Sequence, residues 1–279
     1  MRILLTGATG QVGWELRKAL APLGEVKAFD RFGLDLADTP PLVATVRALQ
    51  PQVIVNAAAY TAVDKAETER DMAFAVNATA PRVLAEEAKR IGALLVHYST
   101  DYVFDGSKST PYVEDDAPDP INVYGASKLA GERAIVGTGC RHLILRTSWV
   151  YGPRGKNFYL TILRLAKERP ELRIVDDQIG APTSSLEIAR ATALLLRKDP
   201  QGLYHLSAAG ETTWCGFARA LLARAGISTS VVPIRTEDYP TPARRPRNSR
   251  LDCARLRAEF GVALAPWEQG LAEVTLAAP

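Results

Sequence analysis

Ile3-Leu4-Leu5-Thr6-Gly7-Ala8-Thr9-Gly10-Gln11-Val12-Gly13-Trp14-Glu15-Leu16 is the stretch on which the reading of this chain turns. A short apolar run enters Gly7-x-x-Gly10-x-x-Gly13 and leaves as a helix that carries Val12, Leu16 and Leu20 along one side. Glycines let such a turn be tight and let the backbone approach a diphosphate, whose charge is stabilised by the N–H groups and dipole of the helix N-terminus. Asp30 closes the next apolar run, where a carboxylate can accept hydrogen bonds from the ribose hydroxyls of an adenosine. Arg31 follows it directly and could pair instead with a ribose 2′-phosphate. The two residues argue in opposite directions, so NADH and NADPH both stay open.

Outward from this turn the chain alternates. Val26 to Phe29, Val53 to Val55, Leu94 to Tyr98 and His142 to Arg146 read as strands. Helical patterns separate them at about Pro40 to Leu49, Asp71 to Ile91 and Tyr124 to Val136, with Pro81 expected to kink or break the second. Strands with little polar alternation, joined by helices, predict an α/β fold: a doubly wound, mostly parallel Rossmann-type sheet. Residues 1–150 are assigned mainly to this dinucleotide-binding part. Residues 151–279 are expected to form a smaller C-terminal α/β substrate lobe, with some segments returning to the main sheet. Within that lobe Asn157 to Ala166, Ser185 to Leu196 and Cys215 to Ala225 look helical. Short strands are expected at Leu172 to Val175, Leu203 to Leu206 and Val231 to Ile234. Tyr239 to Arg250, rich in Pro and Arg, reads as an extended surface loop, and a last helix runs from about Cys253 to Phe260.

Composition narrows the classes. With 47% hydrophobic residues and a net charge of +3, the 279-residue chain is neither a disordered polymer nor a general nucleic-acid binder. Its three cysteines, Cys140, Cys215 and Cys253, form no C-x-x-C pair, which argues against a disulfide framework or a zinc site. No run of about 18 uncharged apolar residues is present to span a membrane. These features together point to a cytoplasmic location.

The chemistry-bearing residues lie where an open parallel sheet places its ligands, at the carboxyl ends of strands. Ser99-Thr100-Asp101 follows one strand, and Tyr124 and Lys128, four residues apart, share one helix face. Reduction of a ketone needs a hydride from one side and a proton for the developing alkoxide. A phenol of ordinary pKa near 10 is a sluggish partner at neutral pH, and an ammonium held nearby favours its phenolate. Thr100, with Ser99 as the alternative, would orient the substrate oxygen. A packed helix aromatic beside a solvated lysine is the ordinary alternative, and the glycine turn and strand-end hydroxyls weigh against it.

Four segments carry a resemblance to a known family: Thr6-Gly7-x-x-Gly10-x-x-Gly13, Asn56-Ala57-Ala58-Ala59, Tyr98 to Phe104, and Tyr124-Gly125-x-x-Lys128. The chain resembles the extended short-chain dehydrogenases/reductases. Gly10 to Leu16, Asn56 to Glu67, His97 to Gly106, Leu145 to Tyr151, Asp177 to Thr183 and Gly202 to Leu206 tie it to the branch acting on dTDP-linked 4-keto-6-deoxy sugars. The match is loose only beyond about Thr236. The resemblance implies a catalytic group of Thr100, Tyr124 and Lys128, the last two also touching the cofactor. It implies dinucleotide contacts from Gly7, Gly10, Gln11, Val12, Gly13, Asp30, Arg31, Asp35, Leu36, Ala57, Ala58, Ala59, Tyr60, Asn77 and Ser99. Thr61, Val63, Thr100, Asp101, Tyr102, Trp149, Asn157, Gln178, Gly180 and Pro182 would contact the sugar nucleotide. The implied reaction is reduction of the 4-keto group of dTDP-4-dehydro-β-L-rhamnose to dTDP-β-L-rhamnose by NADPH or NADH, with Tyr124 as proton donor, in a possible homodimer.

Two other outcomes fit the same signature. One is another sugar-nucleotide enzyme: the Asp-Glu pair of 4,6-dehydratases is replaced here by Asp101-Tyr102, but a 4-epimerase stays open. The other is a non-catalytic, dinucleotide-binding regulatory subunit, against which the intact Thr100, Tyr124 and Lys128 argue. The six arginines at 244, 245, 247, 250, 255 and 257 read as a solvated basic face, and His97 as a hydrogen-bonded interior residue. No residue set stands out as metal ligands, so Mg²⁺, known at a dimer interface in some members of that branch, is given none here. No G-x-S-x-G elbow or Walker lysine is present, which counts against hydrolase and kinase chemistry.

Overall fold

The structure, a computed structural model, describes residues 1–274. Five consecutive segments, all but the second rich in buried apolar residues, form the strands β1 (Arg2–Thr6), β2 (Glu25–Phe29), β3 (Val53–Asn56), β4 (Leu94–Thr100) and β5 (His142–Thr147). With Gly202–His205 they make one six-stranded parallel sheet in the order β2, β1, β3, β4, β5, Gly202–His205. Every residue of β4 is buried, as a central strand covered on both faces requires. The two-residue strand period splits the core into two layers. Ile3 and Leu5 pack to one side with Leu16, Leu20, Ile188 and Leu195, and Leu4 packs to the other with Leu42, Val46, Leu84 and Ala88. The helix Gln11–Leu20 thus lies against the helix Ser185–Leu195, which the chain supplies from beyond residue 151.

Strand order reverses at β1, whose neighbours β2 and β3 leave in opposite directions, and this opens a crevice at the carboxyl ends of β1 and β3. The Asp71 to Ile91 segment is helical throughout, so Pro81 does not break it; the regular ladder is interrupted instead just ahead of the proline. Ala75–Thr79 widens into a π turn, closed by the Ala80 N–H donating to Ala75 O, just before the proline. The wider turn absorbs the local disruption and, as π turns often do, presents a side chain to a functional region.

The C-terminal lobe has its own core of Tyr151, Tyr159, Phe217, Leu221 and Trp267. The helices Phe158–Glu168 and Trp214–Arg224 pack on a two-stranded parallel ribbon of Glu171–Val175 with Ser230–Ile234. A helix at Trp267–Glu273, unsignalled in the sequence, starts after Pro266 and lays Gly270 against Glu187.

The expectation of an extended surface loop at Tyr239 to Arg250 holds in part: the segment is a loop with Tyr239, Pro240, Pro242, Arg244 and Arg247 exposed, but it does not lie wholly at the surface. Ala243, Pro246, Asn248 and Ser249 are buried, and the segment straps the lobe to the sheet domain. Asn122 Nδ2 donates to Arg244 O at 2.8 Å, Arg245 pairs with Asp64 at 2.9 Å, and Asn248 Nδ2 donates to Lys108 O and Thr110 O. Arg245 and Arg250 are anchored, Arg250 also meeting Glu211 at 2.7 Å, while Arg244 and Arg247 stay exposed. Among the described residues no helix is long and apolar enough to cross a membrane.

Candidate active site

The first turn behaves as its spacing suggests. Gly7 has φ +69°, and a Cβ there would fall 2.6 Å from Ala58 N. A Cβ on Gly13 would fall 2.0 Å from Gly7 O, so this third glycine lets the helix close onto the turn. The helix that follows begins at Gly10 with no side-chain cap, leaving its first N–H groups free for an anion.

A cleft of about 590 Å³ opens along the carboxyl edge of the sheet. Gly7, Gly10, Gln11 and Val12 line it from the first turn, and Asp30, Arg31, Asp35 and Leu36 from beyond β2. Ala57, Ala58, Ala59, Tyr60, Thr61 and Val63 follow β3, and Ser99, Thr100, Asp101 and Tyr102 lie at the end of β4. Tyr124, Lys128, Trp149 and Asn157 complete the residues singled out in the sequence. The opposed pair at the cofactor end persists: Asp30 Oδ1 accepts from Phe32 N and Gly33 N at 3.0 and 2.9 Å, while Arg31 lies 3.7 Å from Asp35.

Asn122 caps the helix Val123–Thr138 by accepting from Gly125 N at 2.8 Å, which sets the face bearing Tyr124 and Lys128. Gly125 is required for the close approach, because a Cβ would lie 2.1 Å from Tyr102 O. Thr100 Oγ1 accepts from Tyr102 N at 3.1 Å and donates to Asp101 Oδ1 at 3.2 Å. Lys128 is 2% exposed, and its Nζ donates to Tyr98 O at 2.6 Å. Burial shifts these groups together: it pushes Tyr124 up to about 12, against the pull of the Thr100 hydroxyl. It brings Lys128 down to about 8, opposed by the Glu132 charge. It also lifts Asp101 to about 7. Ser99 Oγ and Thr147 Oγ1 are buried at the cleft without protein partners, as expected of groups that meet a ligand.

Five of the residues singled out do not line the cleft: Gly13, Asn77, Gln178, Gly180 and Pro182. Each packs behind its wall or beside it. Asn77, in the π turn, accepts from Tyr60 N at 2.8 Å and donates to Tyr60 O and Ser127 Oγ at 3.0 Å, fixing the loop after β3 to the helix that bears Tyr124 and Lys128. Gly180 is small because the Trp149 ring abuts it, a Cβ there falling 2.5 Å from the indole. Gln178 Oε1 accepts from Trp214 Nε1 at 3.2 Å, and Pro182 is buried. Asn157 lines the cleft while donating to Gln11 Oε1 at 2.8 Å, which ties the lobe to the first turn.

The cleft also contains residues the sequence did not mark, among them Thr9, Leu34, Met72, Val76, Thr147, Gly155, Lys156 and Trp214. Trp214 was the most findable, as one of four tryptophans in the chain. Lys156, beside Asn157, is a cation on the lobe's loop over the glycine turn.

The family described as RmlD substrate binding domain matches residues 1–278. The chain is 49% identical to the dTDP-4-dehydrorhamnose reductase of Escherichia coli, over 97% of this chain and 96% of that one. It is 50% identical to the dTDP-4-dehydrorhamnose reductase of Burkholderia thailandensis, over 96% and 95%. The crystal structure of the Bacillus anthracis dTDP-4-dehydrorhamnose reductase in complex with NADP superposes with a TM-score of 0.94 at 39% identity, covering 97% of each chain. A Thermus thermophilus UDP-glucose 4-epimerase in complex with NAD shares the fold at a TM-score of 0.84 and 23% identity, covering 97% and 96%.

Proposed function

The chain belongs to the RmlD substrate binding domain family, and on that premise we propose that it is the NAD(P)H-dependent reductase of a dTDP-4-keto-6-deoxy sugar, converting dTDP-4-dehydro-β-L-rhamnose to dTDP-β-L-rhamnose. One observation carries the chemistry: Thr100, Tyr124 and Lys128 meet in the same cleft as the uncapped glycine turn. The cradle fits a dinucleotide, because backbone replaces side chain at Gly7 and free helix N–H groups await a diphosphate. When bound, the dihydronicotinamide supplies hydride to C4 of the sugar.

The chain's own residues supply the rest. Thr100 turns its hydroxyl from Asp101 to the C4 oxygen and orients it. Tyr124, held in its protonated form by burial, donates the phenolic proton to that oxygen. The Lys128 ammonium, pinned by Tyr98 O, stabilises the phenolate that remains. Trp149 and Trp214, stacked on each other, line the cleft where a deoxy sugar or a nucleobase would lie.

The test is NADPH and NADH oxidation in the presence and absence of dTDP-4-dehydrorhamnose. Substrate-dependent net oxidation is expected. Cofactor binding without turnover would leave the regulatory-subunit reading in place, and turnover without net oxidation would favour an epimerase.

A further inference from the structure

His97 is fully buried, lies next to the catalytic lysine and takes no part in the chemistry described so far. It stands in a line of polar side chains, each 2% exposed or less, that crosses three adjacent strands at matched register: Thr6 on β1, Asn56 on β3 and His97 on β4. Thr6 Oγ1 lies 2.7 Å from Asn56 Oδ1, Asn56 Nδ2 lies 3.1 Å from His97 Nδ1, and His97 Nε2 lies 3.2 Å from Lys128 Nζ. Such a line in the middle of a sheet core is costly unless every member is satisfied. An aliphatic row would pack there at no such cost.

We propose that His97 is a positioning residue for Lys128: its neutral ring holds the lysine between Nε2 and Tyr98 O, and the Thr6–Asn56–His97 line accommodates the ring proton on either nitrogen. This deepens the reductase reading above and rests on it.

The line offers a bonded arrangement for each tautomer of the His97 ring. With Lys128 as ammonium, Nζ donates to Nε2, the ring proton sits on Nδ1, and the Asn56 amide turns its oxygen to accept it. With Lys128 as amine, Nε2–H donates to Nζ, and Asn56 Nδ2 donates to Nδ1 while Thr6 donates to Asn56 Oδ1. A hydroxyl and an amide serve either direction, so the imidazole follows the charge of the lysine without becoming charged itself. The imidazolium is opposed from both sides: burial disfavours it, and so does the neighbouring ammonium. Of the other ionisable groups, Glu132 acts on Lys128 from its own helix, Tyr124 and Asp101 line the same cleft, and Arg146 on β5 faces Glu132. Arg146 is occupied by Glu132 through bonds of 2.9 and 2.7 Å.

Nitrogen-15 NMR of histidine-labelled full-length protein tests this without any need for turnover, because only His97, His142 and His205 contribute. His142→Asn and His205→Asn assign the signals. From pH 6 to 9 the His97 ring is expected to stay neutral while its proton moves from Nδ1 to Nε2. A ring that becomes doubly protonated in that range, or keeps one tautomer throughout, overturns the proposal. Kinetics supply a second arm: His97→Gln retains an acceptor and should keep kcat within about threefold, whereas His97→Leu should lose about tenfold and move the basic limb of kcat about one pH unit toward acid. A cooperatively folded His97→Leu protein with an unmoved limb would also overturn it. Loss of turnover in the unmodified enzyme would instead count against the reductase reading, since the tautomer shift does not depend on it.

Discussion

Trp149 stacks face to face on Trp214, with ring centroids 3.6 Å apart and planes 10° from parallel, joining the sheet domain to the C-terminal lobe at the cleft. Trp149 sits at φ +46°, a region that costs a non-glycine residue about 1–3 kcal/mol. Gly180 clears the space its ring fills. A strained aromatic held on both faces at the cleft is expected to serve ligand binding as well as packing. Trp214→Ala removes the face that holds it and about 0.5–1.5 kcal/mol of stacking, so KM for the sugar nucleotide should rise by up to about tenfold. Cofactor affinity should stay unchanged. Equal KM values in variant and parent would assign the pair to structure only.

The pH dependence follows from burial acting in opposite directions on neighbouring groups. Tyr124, raised to about 12, remains a proton donor across the working range. Lys128, lowered to about 8, is an ammonium below that pH and an amine above it. Turnover is therefore expected to fall as pH rises through about 8, some two units earlier than an unperturbed lysine of pKa about 10.4 would dictate. Tyr124→Phe should retain NADPH binding and lower kcat by about 10²- to 10⁴-fold. A profile level to pH 10 would contradict the assignment of Lys128.

Residues were legible in the sequence where local period and chemistry agree. Thr100 follows a buried strand, Tyr124 and Lys128 share a helix face, and Gly7, Gly10 and Gly13 join strand to helix, so each could be placed from its neighbours. Trp214 could not, because its role depends on stacking with Trp149, 65 residues away in sequence. The Tyr239 to Arg250 strap was legible only in part for a related reason. Pro and Arg read as solvated loop, but the partners that bury it, Asp64, Asn122 and Lys108, lie on distant segments. Pro81 obeyed its local chemistry, yet a π turn was an available response that composition does not signal.

Arg31 offers a direct reading of cofactor choice. Its guanidinium lines the cleft, engaged only loosely at 3.7 Å by Asp35, and is free to meet a 2′-phosphate, while Asp30 spends Oδ1 on its own turn. Arg31→Ala should raise KM for NADPH by about fivefold and leave KM for NADH nearly constant, the size expected for an exposed charge-assisted contact. Parallel changes for both cofactors would show that Arg31 does not read the phosphate.

Behind the site, Glu132 and Arg146 form a doubly hydrogen-bonded ion pair, each side chain only 4% exposed. Arg146 also lies over the Phe104 ring at 5.0 Å and leaves Nη1 unpartnered. Removing one member strands a charge in the core, so Glu132→Ala should cost about 3–5 kcal/mol in urea unfolding. Glu132→Leu combined with Arg146→Met should recover most of that loss, since a matched apolar pair carries no desolvation cost. Glu132 also lies one turn beyond Lys128 and its charge favours the ammonium. The double variant, restored in stability, should therefore still lose turnover at a lower pH than the parent. If stability and the pH limb recover together, Glu132 serves the core alone; if only stability recovers, the pair supports the core and tunes the lysine at once.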